Sequence, residues 1–349
     1  MRRYLLTRLA QALAVLWAAY TLSFILLSVL PGDAIRNRIN APDSLMTPQQ
    51  AQTLLDYYGS NRPLVEQYFR DLYGLFTGDL GYSITNGGKV WSLLTLNLPS
   101  TAKLTGLGLV FGLVFAVIVA LLINYAKFGW LRDTLSFLPA LFTSVPIFVI
   151  GIVVLNVFAF DLHVIPPVDD HTFTALIAPA ATVGLVVSGP LSQVLSNSVR
   201  RTRGQPFVHV MHAKGAGEGY IFRKDVLRNS LLPVLTLLGL TIGELLAGAV
   251  VTETVYGRAG LGQLIVTSVN TQDLPVVQGI VLLTTAIYVT VNFATDIVYT
   301  VIDPRIALDA RTTRVTRARR AATAQEPGTD PAEAAEPSGT RDPVEVARP

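Results

Sequence analysis

The chain has 349 residues, of which 51% are hydrophobic and only 15% are charged, whereas about a quarter of the residues in an ordinary soluble domain are charged. This balance excludes an ordinary soluble globular protein, and the net charge of +3 is too small to indicate a nucleic-acid partner. No cysteine is present, which excludes disulfides, thiolate metal sites and cysteine nucleophiles.

Six apolar runs account for most of the hydrophobic excess. Each is long enough to cross a hydrocarbon layer of about 30 Å as a helix, and unpaired backbone groups are too costly in lipid for other conformations. The first run, at 22 residues, is longer than a signal-peptide core and is expected to be a retained anchor. The sequence therefore predicts an all-α integral membrane protein with six transmembrane helices, at 9–30, 104–125, 135–160, 173–199, 230–251 and 274–302.

Prolines interrupt two of these runs. The third and fourth runs are therefore expected to be kinked helices packed against protein, where freed backbone groups find partners. These prolines are Pro139, Pro146, Pro179 and Pro190.

The segment between the first two spans, residues 31–103, predicts a small helical external subdomain. One short helix is expected to begin at Thr47-Pro48 and to end at Gly59, and a second to run from Pro63 to Phe76. The second helix has an apolar stripe, which either packs as the subdomain core against the membrane domain or docks an extracellular partner. This stripe contains Leu64, Val65, Tyr68, Phe69, Leu72, Leu75 and Phe76.

The distribution of Lys and Arg predicts the orientation. The N-terminal end and the short loops on the same side hold three, two and seven basic residues, whereas the opposite short loops hold none and one. Both termini are therefore expected to be cytoplasmic, with residues 1–30 forming the N-terminal end and first helix. Residues 104–309 would form a five-helix core with a cytoplasmic loop at 200–229. The tail 310–349 contains no Leu, Ile, Phe, Tyr or Trp and is expected to be disordered, with its arginines near anionic membrane lipid.

Enzyme motifs are missing from the sequence. It contains no GxxxxGK[ST] loop to cradle phosphates, no HExxH and no GxSxG. The chain is therefore expected to have no ATPase site, no catalytic residues and no cofactor of its own. His209 and His212 are three residues apart, but no third metal ligand lies nearby, so a packing role against a partner is favoured over a metal site.

Three polar residues in or near the last two spans are candidates for a translocation pathway. Glu244 lies inside the fifth span, where a carboxylate costs a few kcal/mol and needs a cavity, a partner or a proton. Glu253 is rotated about half a turn from it, so that one carboxylate would face a pathway while the other meets protein. Asn292 and Asp296 share one helical face, for a contact between helices or with substrate.

The largest cytoplasmic feature is the loop from Arg200 to Asn229. Pro206 can occupy the first turn of a short helix, and Gly215 with Gly217 would end it. The apolar edge of this helix, formed by Phe207, Val210 and Met211, predicts docking to anionic lipid or to a soluble partner.

This loop resembles the EAA-type loop of ABC importer permeases of the dipeptide and oligopeptide family. The resemblance rests on the stretch His212-Ala213-Lys214-Gly215-Ala216-Gly217, which is followed by an L-R-N-S-L-L-P run ending at Pro233. Further motifs in the same order extend it over residues 1 to 309: Arg3-Tyr4-Leu5-Leu6, Leu30-Pro31-Gly32-Asp33, Tyr58-Gly59, Arg62-Pro63-Leu64, Gly78-Asp79-Leu80-Gly81-Tyr82-Ser83, Glu253-Thr254-Val255-Tyr256-Gly257, Gly260-Leu261-Gly262 and Asp303-Pro304-Arg305.

The resemblance implies the B-type transmembrane subunit of a type I importer with the MetI-like permease fold, in a bacterial plasma membrane. Such a subunit would pair with a homologous C-type permease, and a binding protein outside the membrane would deliver peptides to it. Two ATP-binding subunits, or one fused ATPase, would bind ATP and Mg and grip the loop at residues 206–217. The departures are Arg258-Ala259 before Gly260, where the family often has Pro, and Glu244, where it commonly has an uncharged residue.

Other functions stay open at the level of sequence. The same fold imports nickel or other small solutes in closely related permeases. A secondary carrier would need coupling carboxylates at the midplane, for which Glu244 is the candidate. A signalling or scaffold protein acting through its tail is a third alternative.

Overall fold

The computed structural model of the chain describes residues 2–29, 47–58, 63–166 and 172–302. Apart from one isolated antiparallel bridge between Tyr82 and Lys89, these residues form helices, turns and bends, which confirms the all-α prediction. Helix α1 comprises Arg2–Val29 and contains residues 9–29 of the first apolar run. Helices α2 (Pro48–Tyr58) and α3 (Leu64–Thr77) confirm the two short helices predicted after it.

The remaining helices form the larger part of the structure. In chain order they are α4 (Val90–Tyr125), α5 (Gly129–Ser136), α6 (Leu138–Ser144), α7 (Ile147–Val154), α8 (Phe173–Arg203), α9 (Pro206–Ala213), α10 (Glu218–Ile221), α11 (Leu227–Val255), α12 (Leu261–Asn270) and α13 (Leu274–Ile302), with π-helical turns at Leu155–Asp161 and Phe222–Val226.

Five of the described helices are long and apolar enough to cross a membrane, within α1, α4, α8, α11 and α13. Helix α4 is longer than predicted, because polar residues at its start lower the hydropathy without stopping a helix. It begins at Val90 and has 36 residues, so position 103, the expected end of the external segment, lies inside a helix.

The third predicted span, 135–160, is a broken segment rather than a single kinked helix. The helices on either side of Val145 and Pro146 are bent by 105°, and they form the sixth span only when counted together. Pro146 has no N–H to donate and forces the residue before it out of helical geometry. Val145 accordingly has φ −89° and ψ 125°. Pro179 and Pro190, by contrast, lie inside the continuous helix α8.

The core lies where α4 packs along α8. A Cβ placed on Gly184 of α8 would lie 2.7 Å from Cβ of Phe111 and 2.9 Å from the carbonyl oxygen of Gly108. Small residues allow two backbones to approach this closely, as is common between membrane helices. Helix α8 is consequently the most enclosed of the long helices, since 67% of its most apolar stretch is buried inside the protein.

The apolar stripe of α3 divides between two environments. The ring centroid of Tyr68 lies 5.2 Å from that of Tyr20 and 5.3 Å from that of Phe24, both on α1, and the Tyr20 hydroxyl donates to the Tyr68 carbonyl oxygen at 2.8 Å. Phe69 and Phe76, however, are 62% and 84% exposed. The stripe is therefore only in part a packed core.

Some predictions lie outside the described residues. These are the tail 310–349, the Asp303-Pro304-Arg305 and Leu30-Pro31-Gly32-Asp33 motifs, Gly59 as the end of a helix, Arg62, and the side chain of Asp296.

Candidate functional site

Helix α9 forms the short helix predicted in the loop between the fourth and fifth spans. Gln205 is extended, Pro206 occupies the first turn, and the helix ends at Ala213. Gly215 has φ +81°, and the N–H groups of Gly215 and Ala216 donate to the carbonyl oxygens of His212 and Met211 at 2.9 and 3.1 Å. A left-handed residue of this kind is the usual glycine end of a helix, which confirms that Gly215 ends this one.

The segment that contains α9 and α10, residues 204–226, is here named the connecting segment. Val208, Ile221 and Val226 are buried and pack into the main core. On its outer side, Val210 and Tyr220 are 51% and 50% exposed. The connecting segment is thus seated firmly on the helical body and presents apolar side chains to its surroundings.

The six residues predicted to couple to an ATPase lie at the turn between α9 and α10. Ala216 is half-buried and packs against the main core. The other five are exposed, and they are His212, Ala213, Lys214, Gly215 and Gly217. This turn is therefore accessible to a partner chain through its five exposed residues, while Ala216 anchors it to the helical body.

Charged groups tie the connecting segment to the ends of α4 and α8. Arg203 donates to the carbonyl oxygen of Asn124 at 2.9 Å, and its guanidinium lies 4.5 Å from the centroid of the Tyr125 ring. Glu218 lies 3.7 Å from Arg203 and 3.5 Å from Nε2 of His212. The same carboxylate therefore bridges the end of α8 to the last turn of α9.

Basic side chains also line an open hollow of about 310 Å³ beside α9. Four of its lining residues carry or can carry positive charge: Arg200, Arg203, His209 and His212. Such a hollow suits an acidic group of a partner. Among the described residues no three His, Asp or Glu side chains are grouped to hold a metal ion.

A second polar cluster surrounds Glu253 near the end of α11. The Glu253 side chain has no exposed surface. Its carboxylate accepts hydrogen bonds from the Thr101 hydroxyl at 2.6 Å and from the N–H of Gly262 at 2.7 Å. The N–H of Gln263 donates to it at 3.3 Å, and the N–H of Leu261 donates to Thr101 Oγ1 at 2.8 Å. The first N–H groups of α12 have no partners within the helix, so this cluster caps its positive end.

The positions of the glycines around this cap have no room for a Cβ. A Cβ on Gly260 would lie 2.3 Å from the Glu253 carboxylate, and one on Gly262 would lie 2.4 Å from Cα of Val250. The structure thus explains the sequence Gly260-Leu261-Gly262 by close approach to α11. It encloses Glu253 in protein, where the side chain stabilises the junction of α4, α11 and α12.

The other two candidate pathway residues have different surroundings. Glu244 is exposed on α11, in keeping with the rotation of about half a turn from Glu253. Asn292 on α13 is half-buried, and a Cβ on Gly239 would lie 3.0 Å from its Oδ1. Asn292 therefore contacts α11, as the helix-contact alternative predicted.

Sequence reasoning missed a link between the residues after α3 and the start of α13. Asp273 is 3% exposed and accepts a hydrogen bond from the Ser83 hydroxyl. The backbone N–H groups of Ile84 and Thr85 donate to the same carboxylate at 3.1 and 3.3 Å. The only signal in the sequence was the polar motif that ends at Ser83, which does not indicate its partner 190 residues away.

Comparison with known families identifies this architecture. Residues 108–308 match the family described as "Binding-protein-dependent transport system inner membrane component". The chain belongs to this family, and it is a multi-pass membrane protein.

Individual relatives extend over nearly the whole chain. The dipeptide transport system permease protein DppB of Lactococcus lactis subsp. cremoris is 30% identical over 309 residues, which are 88% of this chain and 100% of the relative. A protein of Brucella suis biovar 1 named provisionally as a peptide permease is 34% identical, over 88% of this chain and 99% of the relative. The glutathione transport system permease protein GsiC of Pectobacterium atrosepticum is 29% identical, over 88% of this chain and 99% of the relative.

A solved structure shows the same fold. A chain of the MetNI methionine ABC transporter in an inward-facing conformation superimposes with a TM-score of 0.52 and 18% identity, covering 60% of this chain and 96% of that chain. The predicted MetI-like permease fold is thereby confirmed.

Proposed function

We propose that this chain is a permease subunit of an ATP-driven importer that carries peptides across the plasma membrane. The similarity to dipeptide, peptide and glutathione permeases over 88% of the chain carries this proposal, because glutathione is itself a small peptide. The MetI-like fold supports the importer class.

The connecting segment is proposed as the element that receives mechanical work from ATPase subunits. An element that transmits motion has to be rigid and accessible. The buried anchors Val208 and Ile221 supply rigidity, and the exposed turn from His212 to Gly217 supplies access. The basic hollow beside α9 would receive acidic side chains of the ATPase.

The proposed complex contains a homologous C-type permease, two ATPase subunits or one fused ATPase, and an external peptide-binding protein. ATP and Mg would bind to the ATPase partners, and this chain would contribute no ATPase site of its own. Both termini would lie in the cytoplasm, which places the connecting segment on the ATPase side.

The translocation pathway is proposed to run along the face of α11 that carries Glu244. This carboxylate is exposed on a helix that is otherwise apolar at that depth, as a side chain bordering a water-filled route would be. Asn292, which contacts the same helix, would position α13 beside the route. Glu253 is enclosed and would stabilise the outer junction instead.

Purification of the tagged chain from its native membrane, followed by reconstitution in liposomes, tests the proposal. We expect a second permease and an ATPase to copurify. Trialanine with the external binding protein should stimulate ATP hydrolysis and be taken up, whereas nickel ions should do neither. Trialanine uptake by the isolated chain along an ion gradient, without ATP, would instead establish a secondary carrier. Nickel uptake without peptide uptake would refute the proposal that the cargo is a peptide.

The Glu244→Gln variant tests the pathway separately. We expect a changed rate or pH dependence of peptide uptake with an intact complex. The Asp133→Asn variant is the matched control, since Asp133 is an exposed carboxylate on α5. Unchanged uptake by Glu244→Gln would remove Glu244 from the pathway and leave the peptide-importer proposal standing.

A further inference from the structure

Helix α3 is surrounded differently on its three sides. One side packs on α1 through Tyr68. A second side, which includes Asp71 and Gly74, lines a cavity of about 480 Å³. Gln278 and Gly279 of α13 line the same cavity. The third side, here named the exposed α3 face, has exposed fractions between 62% and 84%, and it consists of Val65, Phe69, Tyr73 and Phe76. Tyr73 lies at its edge and also borders the cavity.

The contact with α1 fixes how deep α3 lies. The part of α1 that is long and apolar enough to cross a membrane runs from Leu6 to Leu27, and Tyr20 is seven residues before its end, or about 10 Å along a helix. Tyr68 contacts both Tyr20 and Phe24. Helix α3 therefore packs against about the last 10 Å of the apolar part of α1, which is the depth that an amphipathic helix reaches at a membrane boundary.

At this level the surface of α1 is itself apolar and open. Leu22, Ile25 and Leu26 are 61%, 49% and 66% exposed, as expected for side chains in contact with lipid. At about 100° per residue these three side chains lie on the side of α1 away from Tyr20 and Phe24, opposite α3. The exposed α3 face contains no charged residue and three aromatic rings. Aromatic side chains concentrate where hydrocarbon meets water.

We propose that α3 lies along the membrane boundary as an amphipathic helix, with the exposed α3 face inserted into the leaflet that surrounds the C-terminal end of α1. Glu66, Arg70 and Thr77 lie along the flank of this face beside Tyr73 and would face water, Arg70 and Thr77 from the wall of the cavity. Insertion would fix the position of the cavity between α3 and α13 relative to the membrane surface.

The absence of cysteine from the chain permits a direct test. Single cysteines replace Phe69, Phe76 or Thr77, each receives a nitroxide spin label, and the complete transporter is placed in lipid nanodiscs. Phe76 and Thr77 are adjacent and both exposed, so the Thr77→Cys label is a matched control. Electron paramagnetic resonance then measures collisions of each label with oxygen, which concentrates in lipid, and with a water-soluble nickel chelate.

We expect the ratio of oxygen to nickel collisions to be several-fold higher for the labels at 69 and 76 than for the label at 77. Equal ratios at all three positions would show that the exposed α3 face is in water and would overturn the proposal. Protection of the labels at 69 and 76 only after addition of the external binding protein would also overturn it, because the face would then dock a soluble partner. These results do not depend on the cargo or on ATP coupling.

Discussion

Glu253 and Gly262 are joined by a hydrogen bond of 2.7 Å, from the glycine N–H at the start of α12 to a carboxylate near the end of α11. The glycine is needed because Val250 leaves no room for a Cβ. The carboxylate in turn receives the Thr101 hydroxyl of α4. One buried side chain therefore joins three helices of the permease.

Replacing Glu253 with Gln tests this junction. The amide has nearly the same size, but it removes the negative charge at the helix start and leaves fewer acceptors for the donors from Thr101 and Gly262. Leaving a buried group unpaired costs about 1–3 kcal/mol, so we expect the Glu253→Gln variant to unfold at a clearly lower temperature. Thermal unfolding of the purified transporter, followed by tryptophan fluorescence, measures this. Glu244→Gln, at an exposed position of the same helix, should shift the midpoint little, and an equal shift in both variants would contradict the assignment.

Replacing Gly184 with Ala tests the packing of α4 on α8. The added methyl group would press on Phe111 and on the carbonyl oxygen of Gly108, and overpacking of a core costs about 1–3 kcal/mol. We expect a lower unfolding midpoint for Gly184→Ala. The control is Gly106→Ala on α4, where a Cβ meets nothing within 4 Å and helix propensity favours alanine by up to about 1 kcal/mol. A midpoint for Gly184→Ala at or above the wild-type value would show that the helices separate easily.

Replacing Gly215 with Val tests the connecting segment. With φ +81° this position strains any residue with a Cβ, and a β-branched one most. We expect the turn between α9 and α10 to shift, so that more ATP is hydrolysed for each peptide imported. Parallel assays of phosphate release and peptide uptake in liposomes give this ratio. Gly219→Ala is the control, since Gly219 lies in α10 outside this turn and has open space around it. A wild-type ratio in Gly215→Val would remove the turn from energy coupling.

Replacing Asp71 with Asn tests a carboxylate of α3 beside the cavity. Burial raises the pKa of Asp71 above its ordinary value of 3.8, and Arg70 offsets this only in part. A raised pKa means that the folded chain binds the proton more tightly than the unfolded chain, so stability decreases as the pH rises from about 4 through the folded-state pKa. Asp71→Asn should therefore be more stable than wild type at neutral pH and lose this part of the pH dependence.

Thermal unfolding of the transporter across a range of pH measures this effect. The variant Asp133→Asn, at an exposed position, should leave stability at neutral pH within about 0.5 kcal/mol of wild type. Lower stability of Asp71→Asn than of wild type at neutral pH would show that the carboxylate is stabilising in its ionised form.

Composition and local pattern were sufficient to predict the helical membrane class, most of the spans and the helix from Pro206 to Ala213. The reason is local: long apolar runs have no alternative to helices in lipid, and a proline at the start with a glycine at the end delimits a helix by backbone geometry alone. The family motifs then indicated an importer permease, which the matched family confirms.

Tertiary structure decided what depends on partners distant in sequence. Val145 and Pro146 produce a bend of 105° where a kink was expected, because the direction of the chain after a break is set by packing. Glu253 is enclosed by Thr101 and Gly262, whereas its rotation from Glu244 predicted only that one of the two carboxylates meets protein. Periodicity defines which side chains share a helix face, but only the position of a neighbouring helix decides which of them are covered.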